Sequence, residues 1–144
     1  MNKLIKYPII FIALVLCISG VRWLISSEPW LLDQVANEVR LQMSFSDLFE
    51  IEGNNTLEGY LTQIYRFLGL YVFGIGLLLI SFTSEKLLKI NSFRNRLFIG
   101  LGTLLFSNLV LAYFWIPSSH FIYLMWGAIG LYFVSLYFHL KTPN

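Results

Sequence analysis

One cysteine, two histidines and a charged fraction of 12% leave this 144-residue chain short of the groups most enzymes use. A lone Cys17 closes no internal disulfide and completes no Cys-x-x-Cys pair, which argues against quinone-linked thiol oxidation. His120 and His139 stand at opposite ends of one hydrophobic segment, about 28 Å apart along a helix, so they cannot share a metal; both read as interfacial histidines. No glycine-rich phosphate loop and no Ser, His, Asp set is visible. The hydrophobic segments also lack the Asp or Glu that proton-coupled carriers use as relays, and no internal repeat signals alternating access. No catalytic residue, cofactor or metal is therefore expected.

What the chain has in quantity is apolar surface. Hydrophobic residues make up 57% of it and the mean hydropathy is +0.69, outside the usual soluble range. Crossing about 30 Å of hydrocarbon takes about 20 helical residues, and four segments qualify: residues 7–25, 60–82, 97–116 and 121–140. The short alternating segments of an outer-membrane barrel are missing. The expected fold is all-α, a polytopic membrane four-helix bundle forming one domain over residues 1–144. The first segment resembles a signal peptide in its "MNKLIK" and "IIFIALVLCISG" stretches, but no A-x-A site follows, so it is expected to stay as a helix.

Charge is sorted along the chain. Of eight acids, seven (Glu28, Asp33, Glu38, Asp47, Glu50, Glu52, Glu58) lie between the first two segments. Seven of ten basic residues (Lys3, Lys6, Lys86, Lys89, Arg94, Arg96, Lys141) fall on one side if the chain crosses four times. The positive-inside rule then places both termini in the cytoplasm and loop 26–59 outside, in a bacterial inner membrane. The net charge of +2 conceals this polarity and suggests no nucleic-acid partner. Within the loop, "SSEPWLLDQVANEVRLQM" predicts an amphipathic helix with Ser27 as its cap and Leu31, Leu32, Val35, Val39 and Met43 on one face, resting on the membrane or capping the bundle. A helical turn capped by Ser46 and a turn at "EGNN" are expected to follow.

Small residues predict how the helices meet, since membrane helices approach closely through them. Ala13, Cys17 and Gly20 form such a seam in the first helix, Gly100, Thr103 and Ser107 in the third, and Gly127, Ala128, Gly130 and Ser135 in the fourth. These seams serve contacts within one chain or between copies equally well, so a protein partner or a homo-oligomer stays open beside membrane lipids. Asn108, near mid-membrane, is expected to turn its amide into the bundle.

Two arginines remain. Arg66 shares a helical side with Gly69, Phe73 and Gly76, which predicts that it points inward, and Arg22 lies at similar depth in the first helix. Both belong to the outer half, where the positive-inside rule asks for no cation, so an anion should compensate them. Loop carboxylates, Glu58 and Glu28 foremost, would clamp the loop to the bundle. Alternatively Arg22, Arg66 and Asn108, with Tyr60, Tyr65 and Tyr113 nearby, would line a pocket for an anionic headgroup or carboxylate. The first arrangement suits an accessory, binding or structural component, the second a lipid-modifying or small-ligand transport protein. The stretch "YRFLGLYVFGIGLLL", an arginine followed by Gly, aromatic, Gly-x-Gly and leucines, is similar to the second helix of small bacterial four-helix membrane proteins of the DoxX-like and related unknown-function type. The resemblance covers residues 65–79 and, more loosely, the four-span layout; it implies an inner-membrane bundle without implying a mechanism.

Overall fold

The computed structural model describes residues 3–142. Among them every regular element is helical: α1 (Lys3–Ile25), a 3-10 turn (Pro29–Asp33), α2 (Gln34–Leu41), α3 (Phe45–Glu50), α4 (Leu57–Phe82), α5 (Glu85–Leu88), α6 (Asn91–Trp115) and α7 (Phe121–Leu140). Helices α1, α4, α6 and α7 are long and apolar enough to cross a membrane. They run alternately up and down. One end of the bundle, the loop end, carries the 3-10 turn, α2 and α3; the other, the terminal end, carries α5, the start of α1 and the end of α7.

Close packing runs in the order α4, α1, α7, α6. The tightest approach is α1 on α4, and the sequence explains it. A Cβ added at Gly20 would lie 2.5 Å from the Phe73 backbone nitrogen, and one at Gly69 would lie 2.8 Å from the Gly20 carbonyl oxygen. At Gly76 it would meet Cys17 Sγ at 2.6 Å and the Ala13 carbonyl at 2.8 Å. The backbones therefore touch along Ala13, Cys17 and Gly20 on one side and Gly69, Phe73 and Gly76 on the other. The expected seam on α6 is not used within the described chain, and that on α7 is used only in part: Ala128 packs on the core and Ser135 is buried against α1. Thr103 and Ser107 are exposed, and nothing lies within 4 Å of a Cβ built at Gly100, Gly127 or Gly130. Helix α6 instead packs through the bulkier stripe Phe98, Leu101, Leu105, Leu109 and Ala112, facing Ile122, Ile129 and Tyr132 of α7 and Ile5, Ile9 and Ile12 of α1. Large apolar side chains fill more volume and bury more area than a glycine seam, so they hold helices at ordinary spacing.

The loop differs from its expected form. The single long helix breaks into the 3-10 turn and α2 because Asp33 leaves helical geometry at φ −136°, ψ 43°, and α2 ends where Gln42 turns left-handed at φ 58°. The cap of α3 is Ser44, not Ser46: its Oγ accepts from the Asp47 amide at 3.0 Å and donates to the Asp47 carboxylate at 2.7 Å. The "EGNN" turn is present, with Gly53 at φ 95°. Pro29, Trp30 and Ala36 are buried, while Val35 and Val39 are 70% and 62% exposed. The polypeptide thus packs on the bundle through Trp30 and Ala36 and turns its valine stripe away from the protein.

Gly20→Ala is expected to lower the stability of the folded protein by about 1–3 kcal/mol, because backbone atoms of α4 must move to admit the methyl group. Gly100→Ala, with open space at its Cβ, should leave stability unchanged or raise it slightly. Thermal unfolding of both variants in detergent checks the pair.

Candidate functional site

The glycine contact decides where Arg66 goes. Gly69, one turn further along α4, has its carbon against Gly20 and Trp23, so that side of the helix has no room for a guanidinium. Arg66 is displaced to the flank and is exposed. This corrects the expectation that it points inward. It lines an open groove of about 370 Å³ together with Leu24, Gly59, Thr62, Gln63, Phe67 and Leu70. The groove has two chemistries along its length. Gln63 and Arg66 supply donors toward the loop end, beside the Thr62 hydroxyl, whose proton goes to the Glu58 carbonyl at 3.0 Å, and Phe67 and Leu70 supply apolar walls one turn deeper along α4.

Among the described residues Arg66 and Arg22 make no hydrogen bond or ion pair with another side chain of the chain; the ion pairs are Lys6 with Glu85 and His120 with Asp33. Glu28 and Glu58, the expected partners, are exposed and line a different cleft of about 320 Å³ with Glu38, Gln34 and Ser44 over Trp30, Phe45 and Phe49. Arg22 is exposed and does not line the Arg66 groove. Asn108 is exposed as well, and its amide Nδ2 donates to the Leu104 carbonyl of its own helix at 2.8 Å; it does not enter the bundle. Of the tyrosines, the Tyr65 hydroxyl accepts from Asn37 Nδ2 at 3.1 Å, the Tyr113 hydroxyl accepts from Trp126 Nε1 at 3.0 Å, and Tyr60 is exposed. The structure therefore does not bring Arg22, Arg66 and Asn108 together.

The loop is clamped to the bundle, but by other residues. Asp33, with a side chain only 10% exposed, faces His120 Nδ1 at 3.2 Å, which joins the 3-10 turn to the connection between α6 and α7. Asn37 bridges α2 to α4 through Tyr65 and also donates to the Trp30 carbonyl at 3.4 Å. Arg40 sits over the Trp115 ring at 4.8 Å, a cation–π contact with the end of α6. Beneath these, Trp23 packs on Phe121 at 5.2 Å, and Trp30 contacts Phe45 and Phe49. Each contact crosses between elements, so the sequence alone does not signal it.

A second polar cluster lies at the terminal end, and sequence reading missed it. Arg94 is 6% exposed, and its guanidinium donates through Nε to His139 Nδ1 at 2.7 Å, through Nη1 to the Leu88 carbonyl at 3.0 Å, and through Nη2 to Asn91 Oδ1 at 3.0 Å. His139 is 8% exposed and lies flat on Phe98, centroids 4.6 Å apart. It is a buried core histidine, not an interfacial one. A signal for it exists. Arg94 continues the α6 stripe of Phe98, Leu101 and Leu105 at spacings of four and three, and His139 follows Tyr132 and Ser135 on the buried side of α7.

Compared with known proteins, the chain matches no family model, no curated protein and no solved structure. Its chemistry is read from its own residues. At the loop end it offers a guanidinium that meets no anion of the described residues, beside an apolar wall; at the terminal end it offers a buried one with all three nitrogens hydrogen-bonded.

Asn37→Leu removes one hydrogen bond that ties α2 to Tyr65 of α4 and one that ties it to the Trp30 carbonyl of the 3-10 turn, each worth about 1 kcal/mol. It should speed proteolysis within residues 34–57 several-fold while leaving the helical content of the bundle intact. Glu58→Gln, which touches no clamp contact, should leave that rate unchanged. Limited proteolysis followed by mass spectrometry distinguishes the two.

Proposed function

We propose that the chain is a small integral membrane protein acting as an accessory binding component, with Arg66 holding the anionic headgroup of a membrane lipid and no catalysis assigned. One observation carries this reading: Arg66 lies in a groove that pairs polar Thr62 and Gln63 with apolar Phe67 and Leu70, and no acid of the described chain meets it. A guanidinium at the edge of hydrocarbon is costly unless an anion accompanies it. A lipid phosphate accepts two parallel N–H bonds from the planar fork, while its acyl chain covers the apolar wall. By charge distribution the loop end faces outside, so the headgroup belongs to the outer leaflet of a bacterial inner membrane. On this reading residues 65–79 form the arginine-bearing helix of a DoxX-like bundle, and the loop helices cap it. Lipid modification and ligand transport gain nothing specific from the geometry, since Arg22 and Asn108 do not line the groove.

Native mass spectrometry of the protein from nanodiscs of phosphatidylcholine mixed with phosphatidylglycerol tests the proposal. The wild type should retain phosphatidylglycerol preferentially. Arg66→Leu should lose that preference by about tenfold, the equivalent of one charge-assisted interaction, and Arg66→Lys should keep part of it. An unchanged preference in Arg66→Leu sinks the reading. If Arg66→Leu does not fold and Glu58→Gln or Glu28→Gln restores it, a loop carboxylate rather than a lipid serves the arginine.

A further inference from the structure

The Arg94 and His139 pair is a cation bonded to a titratable neutral base in a buried place. Arg94 keeps its charge at any pH at which proteins fold and can only donate. Its Nε–H points at His139 Nδ1 over 2.7 Å, so Nδ1 must carry a lone pair and the imidazole proton must sit on Nε2. Stacking on Phe98 at an interplanar angle of 9° fixes the ring in that orientation. Among the described residues no carboxylate takes part. Arg94's other partners are the Leu88 carbonyl and the Asn91 amide oxygen, and Glu85, on neighbouring α5, is paired with Lys6 of α1 at 3.7 Å. Among the described residues the remaining charged groups of this end, Lys3, Lys86, Lys89, Arg96 and Lys141, are exposed cations, with Lys141 folded over Tyr137 at 4.5 Å.

We propose that this pair is an acid-sensitive catch that fastens the last turn of α7 to α5 and α6. When His139 takes a proton from water onto Nδ1, the acceptor becomes a donor. Two N–H groups and two like charges then face each other at hydrogen-bond distance, with little solvent to screen them. The bond breaks and the imidazolium moves toward water. The consequence is local, because two bonds hold α7 further up: Ser135 Oγ donates to the Ile5 carbonyl at 2.6 Å, and Tyr132 donates to the Phe98 carbonyl at 3.2 Å. Neither partner titrates in the histidine range, so the helix stays on α1 and α6 to that level. Only residues 136–142 open. The sign follows from the geometry: the contact exists while His139 is neutral and is lost as pH falls below about 6.5, where the imidazole, once turned out to water, takes up a proton.

Hydrogen–deuterium exchange of the full chain in detergent, with rates corrected for the intrinsic pH dependence of exchange, tests the catch. Between about pH 7.5 and about pH 5 the protection of residues 136–142 should fall about tenfold in the wild type, with residues 125–135 unchanged. His139→Gln keeps a carbonyl acceptor for Arg94 and has no proton to gain, so its protection should not depend on pH. Glu85→Gln should still show the fall. Loss of the fall in Glu85→Gln, or its persistence in His139→Gln, would assign the effect to another group and overturn the proposal. Should the glutamine variant not fold, the wild type decides by itself: nitrogen NMR at neutral pH must show His139 Nδ1 without a proton, and a protonated Nδ1 there excludes the catch.

Discussion

Backbone contact between α1 and α4 is the constraint on which the rest of this structure depends. Gly20, Gly69 and Gly76 let two helices meet with main chain against main chain, closer than any pair separated by leucine side chains. Such a contact gains dispersion and loses little side-chain entropy, and it works as well in lipid as in water because it needs no hydrophobic driving force. It also leaves nothing else in the seam. A guanidinium has no room between the two backbones, which is why Arg66 is found on the flank. On the other side of the bundle, α6 and α7 pack by interdigitating Phe98, Leu101 and Leu105 with Ile129 and Tyr132.

The two ends of the bundle solve different problems. At the loop end the charges are mixed and water is near, so a network of modest contacts (Asp33 with His120, Asn37 with Tyr65, Arg40 with Trp115) holds short helices over the long ones. Each is weak alone, and their number gives the loop its fixed place. The terminal end is almost wholly basic, and there a single buried guanidinium gathers α5, α6 and α7 by donating to groups that carry no charge. A buried cation with no carboxylate among the described residues is tolerated when its nitrogens are hydrogen-bonded, as all three are here.

Much of this was legible in the residues. Four hydrophobic segments became four long helices, and the seam of Ala13, Cys17 and Gly20 faces Gly69 and Gly76 as spacing predicts. Boundaries moved outward at α1 and α6, where amphipathic turns such as Asn91 to Leu97 extend the helix beyond its apolar run. Gly100, Gly127 and Gly130 found no neighbour among the described residues, while Ser135 of the same α7 seam meets Ile5 of α1, because a small-residue stripe says that a close approach is possible and not which helix makes it.

The all-helical class, the four helices long and apolar enough to cross a membrane and the sorting of charge along the chain follow from composition and periodicity, since apolar length and charge order are properties of the chain itself. Which anion Arg66 lacks, which acid meets His120, and that Arg94 meets His139 across 45 residues were decided only by tertiary structure. Those pairings depend on helix rotation and on which faces touch. A helix rotates to bury its tightest seam first, and the charged side chains take the positions that remain.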